Sequence, residues 1–212
     1  MLPINIKNKF GGVFIFSLLI LTGCQEKKTL PILGHKDTEV KGGKVDTVYH
    51  QIPAFQFLNQ DSTWVSDRDY DGKIYVADFF FTSCPTICPK MKTQMLRLYE
   101  RYSNENQLAL LSFSIDPDFD QPHVLKAYAS RLHIKSPKWN MVTGEKAKIY
   151  ELGQKSFMVT AQEDKNEAGG FVHSGAFILV DKQRHVRGIY DGTNEQEVNH
   201  LIEDIELLLK EK

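Results

Sequence analysis

No run of about twenty apolar residues occurs anywhere in this chain, so no segment reads as a helix spanning a bilayer. Charge of either sign is not in excess. The 26 Lys and Arg against 27 Asp and Glu leave a net charge of −1, which removes the basic footprint expected of a nucleic-acid binder. The sequence shows no internal repeat and no low-complexity tract. Cysteine is scarce, three in 212 residues, and each one calls for its own account. Function must be sought in a local site, not in bulk electrostatics.

The longest apolar run lies at the start. Lys7 and Lys9 form a short basic head, and Phe10 to Leu21 follows as an apolar stretch of signal-peptide length. It ends in Leu21-Thr-Gly-Cys24, which looks like a bacterial lipobox. Small residues there admit the peptidase, and the Cys24 sulfur receives the lipid. The competing reading is an uncut N-terminal anchor with Cys24 incidental. Either way the body of the protein is expected outside the cytoplasm, held to a bacterial membrane. Residues 1–23 are thus read as signal peptide, 24–50 as a flexible polar tether and 51–212 as the domain.

Within the domain, Ala54–Leu58 and Thr63–Val65 read as a hairpin. Ile74–Phe81 and Leu108–Ile115 are dense apolar runs of strand length, as in strands buried on both faces. Between them, Met91, Met95, Leu98 and Tyr102 recur on one face of a helix expected from Pro85, and both methionines read as core. Asp120 is placed to cap a helix over 121–132, and Thr143 to cap another reaching Ser156. Trp139–Val142 is a short strand, 161–170 an exposed loop, and Gly175–Val180 pairs with Val186–Tyr190. A last amphipathic helix runs from Asn194 to about Leu209. This alternation predicts an α/β protein, with a central mixed sheet flanked by helices and an N-terminal hairpin. The closing hairpin and terminal helix point to the thioredoxin-like arrangement.

The chemistry gathers at Phe79-Phe-Phe-Thr-Ser-Cys84-Pro-Thr-Ile-Cys88-Pro. Two cysteines stand where a strand hands over to a helix, and N–H groups at a helix start favour a thiolate. At i and i+4 of one helix both sulfurs point the same way. Such a pair can close on one metal ion, or on itself as a disulfide, although so short a loop gains little stability from a cross-link. Two thiolates suit Cu(I), and an imidazole suits copper in either oxidation state. A structural zinc would want four protein ligands. Of the seven histidines, His173 stands just before the strand whose leading loop faces the cysteine turn in thioredoxin-like folds. His35 and His50 fall in the tether, and His123, His133, His185 and His200 read as solvated. Asp116 has two readings, a carboxylate orienting the cysteine loop or a plain Asp-Pro turn.

Cys-Pro-x-x-Cys-Pro written over Cys84 to Pro89 as Cys-Pro-Thr-Ile-Cys-Pro, Asp116-Pro117, Thr143-Gly144 and the late His173 together resemble the Sco/SenC family over roughly residues 50–209. The resemblance implies a thioredoxin fold with copper, Cu(I) and also Cu(II), held by Cys84, Cys88 and His173. It further implies a role in assembling the copper centre of cytochrome c oxidase, with the oxidase's copper-bearing subunit or another copper carrier as partner. Many members carry an Asp directly before the ligand histidine, where this chain has Val172. Metal carriage, more than enzymatic turnover, is the expected activity. The alternative is a thiol–disulfide oxidoreductase using Cys84 and Cys88 as a redox pair on an exported partner. Its usual signature is Cys-x-x-Cys, not the Cys-x-x-x-Cys found here. A peroxidase lacks its upstream proline in Asp78-Phe-Phe-Phe-Thr82, and a cell-surface copper or redox sensor is the remaining class.

Overall fold

The computed structural model describes residues 29–164 and 170–211. The signal-peptide stretch and Cys24 lie outside the described residues. Among the described residues no helix is long and apolar enough to cross a membrane.

Eleven strands and four α-helices are described. A hairpin, β1 (Lys36–Lys41) and β2 (Lys44–Tyr49), forms a two-stranded sheet by itself. Next come β3 (Gln56–Asn59), β4 (Trp64–Ser66), a 3-10 turn at Asp67–Tyr70, β5 (Ile74–Phe80), α1 (Cys88–Arg101) and β6 (Leu108–Ser114). These are followed by α2 (Pro122–Arg131), β7 (Trp139–Thr143), and α3 (Lys146–Glu151) with a π-helical turn at Leu152–Ser156. The chain closes with β8 (Ala161–Glu163), β9 (Phe171–His173), β10 (Ala176–Val180), β11 (Val186–Asp191) and α4 (Glu195–Lys210).

Seven strands form one mixed sheet in the order β11-β10-β5-β6-β7-β3-β4. The β5, β6 and β7 strands run parallel, while β10, β11, β3 and β4 join antiparallel. Every residue of β5, β6, β7 and β10 is buried, because helices cover both faces of the middle of the sheet. Met91, Met95 and Leu98 of α1 are fully buried in that core, as their spacing predicts. Asn194 caps α4 by accepting from the N–H groups of Gln196 and Glu197.

Several expectations are corrected. Asp120 does not cap α2, whose N-cap is Gln121; its carboxylate turns inward instead. Thr143 is the last residue of β7, not a cap, and α3 begins at Lys146. Residues 161–163 are a strand paired with β9, and Ala161 is fully buried, so the expected exposed loop is shorter.

From residue 29 onward the stretch read as a tether carries structure. Leu30 is buried, and the Arg187 guanidinium donates to its carbonyl at 2.7 Å and to that of Pro31 at 3.2 Å. Leu33 N–H donates to Val186 O at 2.8 Å. His50, read as part of the tether, is buried and its Nε2 lies 2.8 Å from Ser156 O. Gly34 packs flat on that histidine: a Cβ there would sit 2.7 Å from the His50 Cβ, and its φ of +100° suits glycine.

Candidate metal centre

The central strand β5 ends at Phe80, and the chain crosses seven residues before α1 begins at Cys88. The helix therefore starts three residues later than expected. Cys84 lies in the connecting loop and Cys88 is the first helical residue, so one helical face is not what brings the two sulfurs together. The loop does so by folding back. Cys84 N–H donates to Phe81 O at 3.3 Å. The Cys84 sulfur receives hydrogen bonds from the N–H groups of Thr86 and Cys88 and from the Cys88 thiol, and it lies 3.7 Å from the Thr86 hydroxyl. Pro89, one residue into the helix, costs no hydrogen bond, because N–H groups in the first turn have no intrahelical partner. Both cysteines are thiols, not a disulfide.

The two thiols differ in acidity. Burial pushes the Cys84 thiol up, but the hydrogen bonds it receives more than reverse this and hold it below the usual thiol range. Cys88 is 1% exposed, and burial drives its thiol well up, only partly offset by the Phe81 N–H. Cys84 is the outer sulfur. It borders a groove of about 300 Å³ lined by Thr82, Pro89, Thr93, Tyr128 and Arg131.

Asp120 anchors the loop from below. Fully buried, its carboxylate accepts from Thr82 N–H at 3.0 Å, from the Thr82 hydroxyl and from the Ser114 hydroxyl at 2.5 Å. The orienting carboxylate is thus Asp120. Asp116 forms the turn: its carbonyl accepts from Phe119 and Asp120 N–H, and burial, with the Asp120 charge beside it, raises its own carboxyl pKa.

One helical turn beyond Cys88, Lys92 is buried and pairs with Asp78 of β5 at 2.7 Å. Ser112, directly opposite Asp78 on β6, donates to the same carboxylate and accepts from the Trp139 indole at 2.9 Å. The Lys92 ammonium lies 3.9 Å from the Phe80 ring centroid. Sequence reasoning passed over Lys92, because lysine is almost never fully buried without a partner. The one available signal was Asp78, a lone carboxylate inside an apolar strand.

His173 is the last residue of β9, with its backbone paired to Ala161. Its side chain lies outside the described part of the structure. The strand itself lies against the cysteine loop. Phe171 packs on Phe81 with ring centroids 5.0 Å apart, and the Gly175 Cα faces the Ile87 side chain, which a Cβ there would meet at 3.7 Å. The backbone of 171–175 thus borders the loop on the side away from the Tyr128 groove. Among the described residues, no three His, Cys, Asp or Glu side chains converge as a metal site. The described part of the centre is the thiol pair.

A mixed sheet of this order, with two thiols at the junction of its central strand and first helix, defines a thioredoxin-like protein. Residues 45–210 match the SCO1/SenC family, and the chain belongs to it. A SCO1/SenC family lipoprotein from Bacillus anthracis is 32% identical, with a TM-score of 0.70 over 76% of this chain and 96% of that one. BsSco, a Sco-family cytochrome c oxidase assembly protein in which a disulfide switch has been identified, is also 32% identical. Its TM-score is 0.68 over 77% of this chain and 95% of that one. Yeast Sco1, solved with copper bound, shares the fold at 23% identity and a TM-score of 0.58, over 77% of this chain and 96% of that one.

Proposed function

We propose that this chain is a copper carrier for assembly of the cytochrome c oxidase copper centre, held to a bacterial membrane outside the cytoplasm by lipid on Cys24. Copper is its cargo, bound by the Cys84 and Cys88 sulfurs and the His173 imidazole. The observation that carries the reading is the thiol pair. Two sulfurs in hydrogen-bonding contact, both receiving backbone N–H groups, are a preformed soft donor set at a chain turn that borders β9. Support also comes from the relatives: a Sco protein with copper bound, a lipoprotein, and an oxidase assembly protein. Delivery to the oxidase's copper-bearing subunit then proceeds by ligand exchange, with partner donors replacing these one at a time. Binding needs reduced cysteines, since a disulfide sulfur is no thiolate.

Copper stoichiometry and spectrum, taken on reduced protein without air, test the reading. A single copper per chain with sulfur and nitrogen ligands, lost in Cys84→Ser, is the expected result. Loss of membrane retention in Cys24→Ala is the expected result for the anchor.

The split acidity of the pair favours one second reading, a thiol–disulfide exchange. The more acidic Cys84 attacks a partner disulfide, forming a mixed disulfide and releasing one partner thiolate. Cys88 then resolves it, leaving Cys84–Cys88 oxidised and the partner with two thiols. Absence of copper together with fast exchange would make this the main activity.

A further inference from the structure

The β1–β2 hairpin has no account in the proposed function, and its first strand precedes the family match, which begins at residue 45. Among the described residues it holds four of the seven exposed large hydrophobics, Val40, Val45, Val48 and Tyr49. Val40 and Val45 are 72% and 69% exposed and lie directly opposite each other across the strands. A two-stranded hairpin is marginal in water, and an exposed apolar pair on one invites association.

The register sorts the hairpin into two unlike faces. Lys36 opposes Tyr49, Thr38 opposes Thr47 and Val40 opposes Val45, so these six residues share one side. That side has no carboxylate, and the Lys36 ammonium lies 5.3 Å from the Tyr49 ring centroid. The acids Asp37, Glu39 and Asp46 alternate onto the other side, together with Val48 and Lys44. An aromatic at the base, paired valines toward the tip, and lysine as the only charge type match a surface of anionic headgroups over acyl chain.

The position of the hairpin says which surface. Leu30 is fixed to the domain by Arg187 and stands only six positions after Cys24. At roughly 3.3–3.6 Å per residue, that length spans about 20 Å at full extension. The hairpin leaves the same pole six residues later, and six residues of strand are also about 20 Å long. The base of the hairpin closes there, with His50 N–H donating to His35 O at 3.1 Å.

We infer that the Val40–Val45 face rests on the bilayer that carries the anchor, an inference that depends on acylation of Cys24. The pole is opposite the cysteines. Val180 at the end of β10 pairs with Tyr75 at the start of β5, while Cys84 follows the other end of β5. Lipid contact by the hairpin therefore turns the cysteine loop away from the membrane and toward a partner standing above it.

The test uses the acylated full chain in vesicles of phosphatidylcholine with phosphatidylglycerol. Cys84→Ser and Cys88→Ser remove the competing thiols, and a nitroxide is placed at Val45→Cys, with Val40→Cys as an independent second site. Asp46→Cys on the opposite face and Lys90→Cys beside the site serve as water-exposed controls. The expected result is a severalfold higher ratio of oxygen to nickel-chelate accessibility at residues 45 and 40 than at 46 and 90. An acylated, vesicle-bound chain whose labels at 45 and 40 match the controls overturns the hairpin contact alone. Strong spin–spin coupling between labels at 45 on separate chains assigns the face to a second copy and also overturns it. An unmodified Cys24 in the intact mass removes the anchor reading, and the inference with it.

Discussion

Thr82, two residues before Cys84, is bound through both its N–H and its hydroxyl to the single buried carboxylate of Asp120, 38 residues later in the chain. This clamp ties the cysteine loop to the start of α2 and to Ser114 at the end of β6. Position of the outer sulfur thus depends on a carboxylate that acts through Thr82.

Asp120→Ala should leave the Thr82 and Ser114 donors without their acceptor in a buried place. The expected cost is about 1–3 kcal/mol of stability, read as a lower urea midpoint. Copper affinity should fall as well, with the ligand spectrum unchanged, because the sulfurs stay but are held less firmly. Unchanged affinity in a competition titration would mean that Asp120 serves the fold only.

Lys92→Met should be among the most damaging changes in the core. It strands the Asp78 carboxylate with Ser112 as its remaining hydrogen-bond donor of the pair, and breaking a buried ion pair costs about 3–5 kcal/mol. The double variant Asp78→Leu/Lys92→Met should recover most of that loss, since two apolar groups leave no buried charge. A chemical denaturation series on the three proteins measures both effects, and simple additivity would refute the pairing.

Alkylation should discriminate between the cysteines. The thiol of Cys84 is held below its usual range and that of Cys88 is pushed above it by burial. As pH rises, Cys84 becomes thiolate first and should react first with iodoacetamide in the reduced, metal-free protein. Peptide mapping after brief labelling near neutral pH reads the order; equal labelling of the two would contradict it.

His173→Ala should shift the copper spectrum toward a sulfur-only environment. Affinity should weaken by more than the about 10–100-fold that follows loss of a hydrogen-bonding group behind a ligand. An identical spectrum would take His173 out of the ligand set.

What the sequence by itself determined is the part that local pattern encodes. The apolar runs of β5 and β6, the 3.6-residue spacing of Met91, Met95 and Leu98, and the alternation of strand and helix specify an α/β sheet with the Cys84–Cys88 loop at its central strand. Each run and each spacing lies within a dozen residues, and burial on one or both faces writes it directly into composition. Only the tertiary structure decided which polar residues turn inward. Asp120 looks like a cap because Asp before a helix usually is one, yet Thr82 and Ser114 draw its carboxylate into the core. Lys92 looks solvated until Asp78, 14 residues earlier, is seen opposite it. The hairpin at 36–49 was hidden for the converse reason: its residues are exposed, so no core constrained their composition, and it reads as a polar tether until its strands pair. Backbone pairing needs no hydrophobic pattern, and a pattern is all that a single sequence displays.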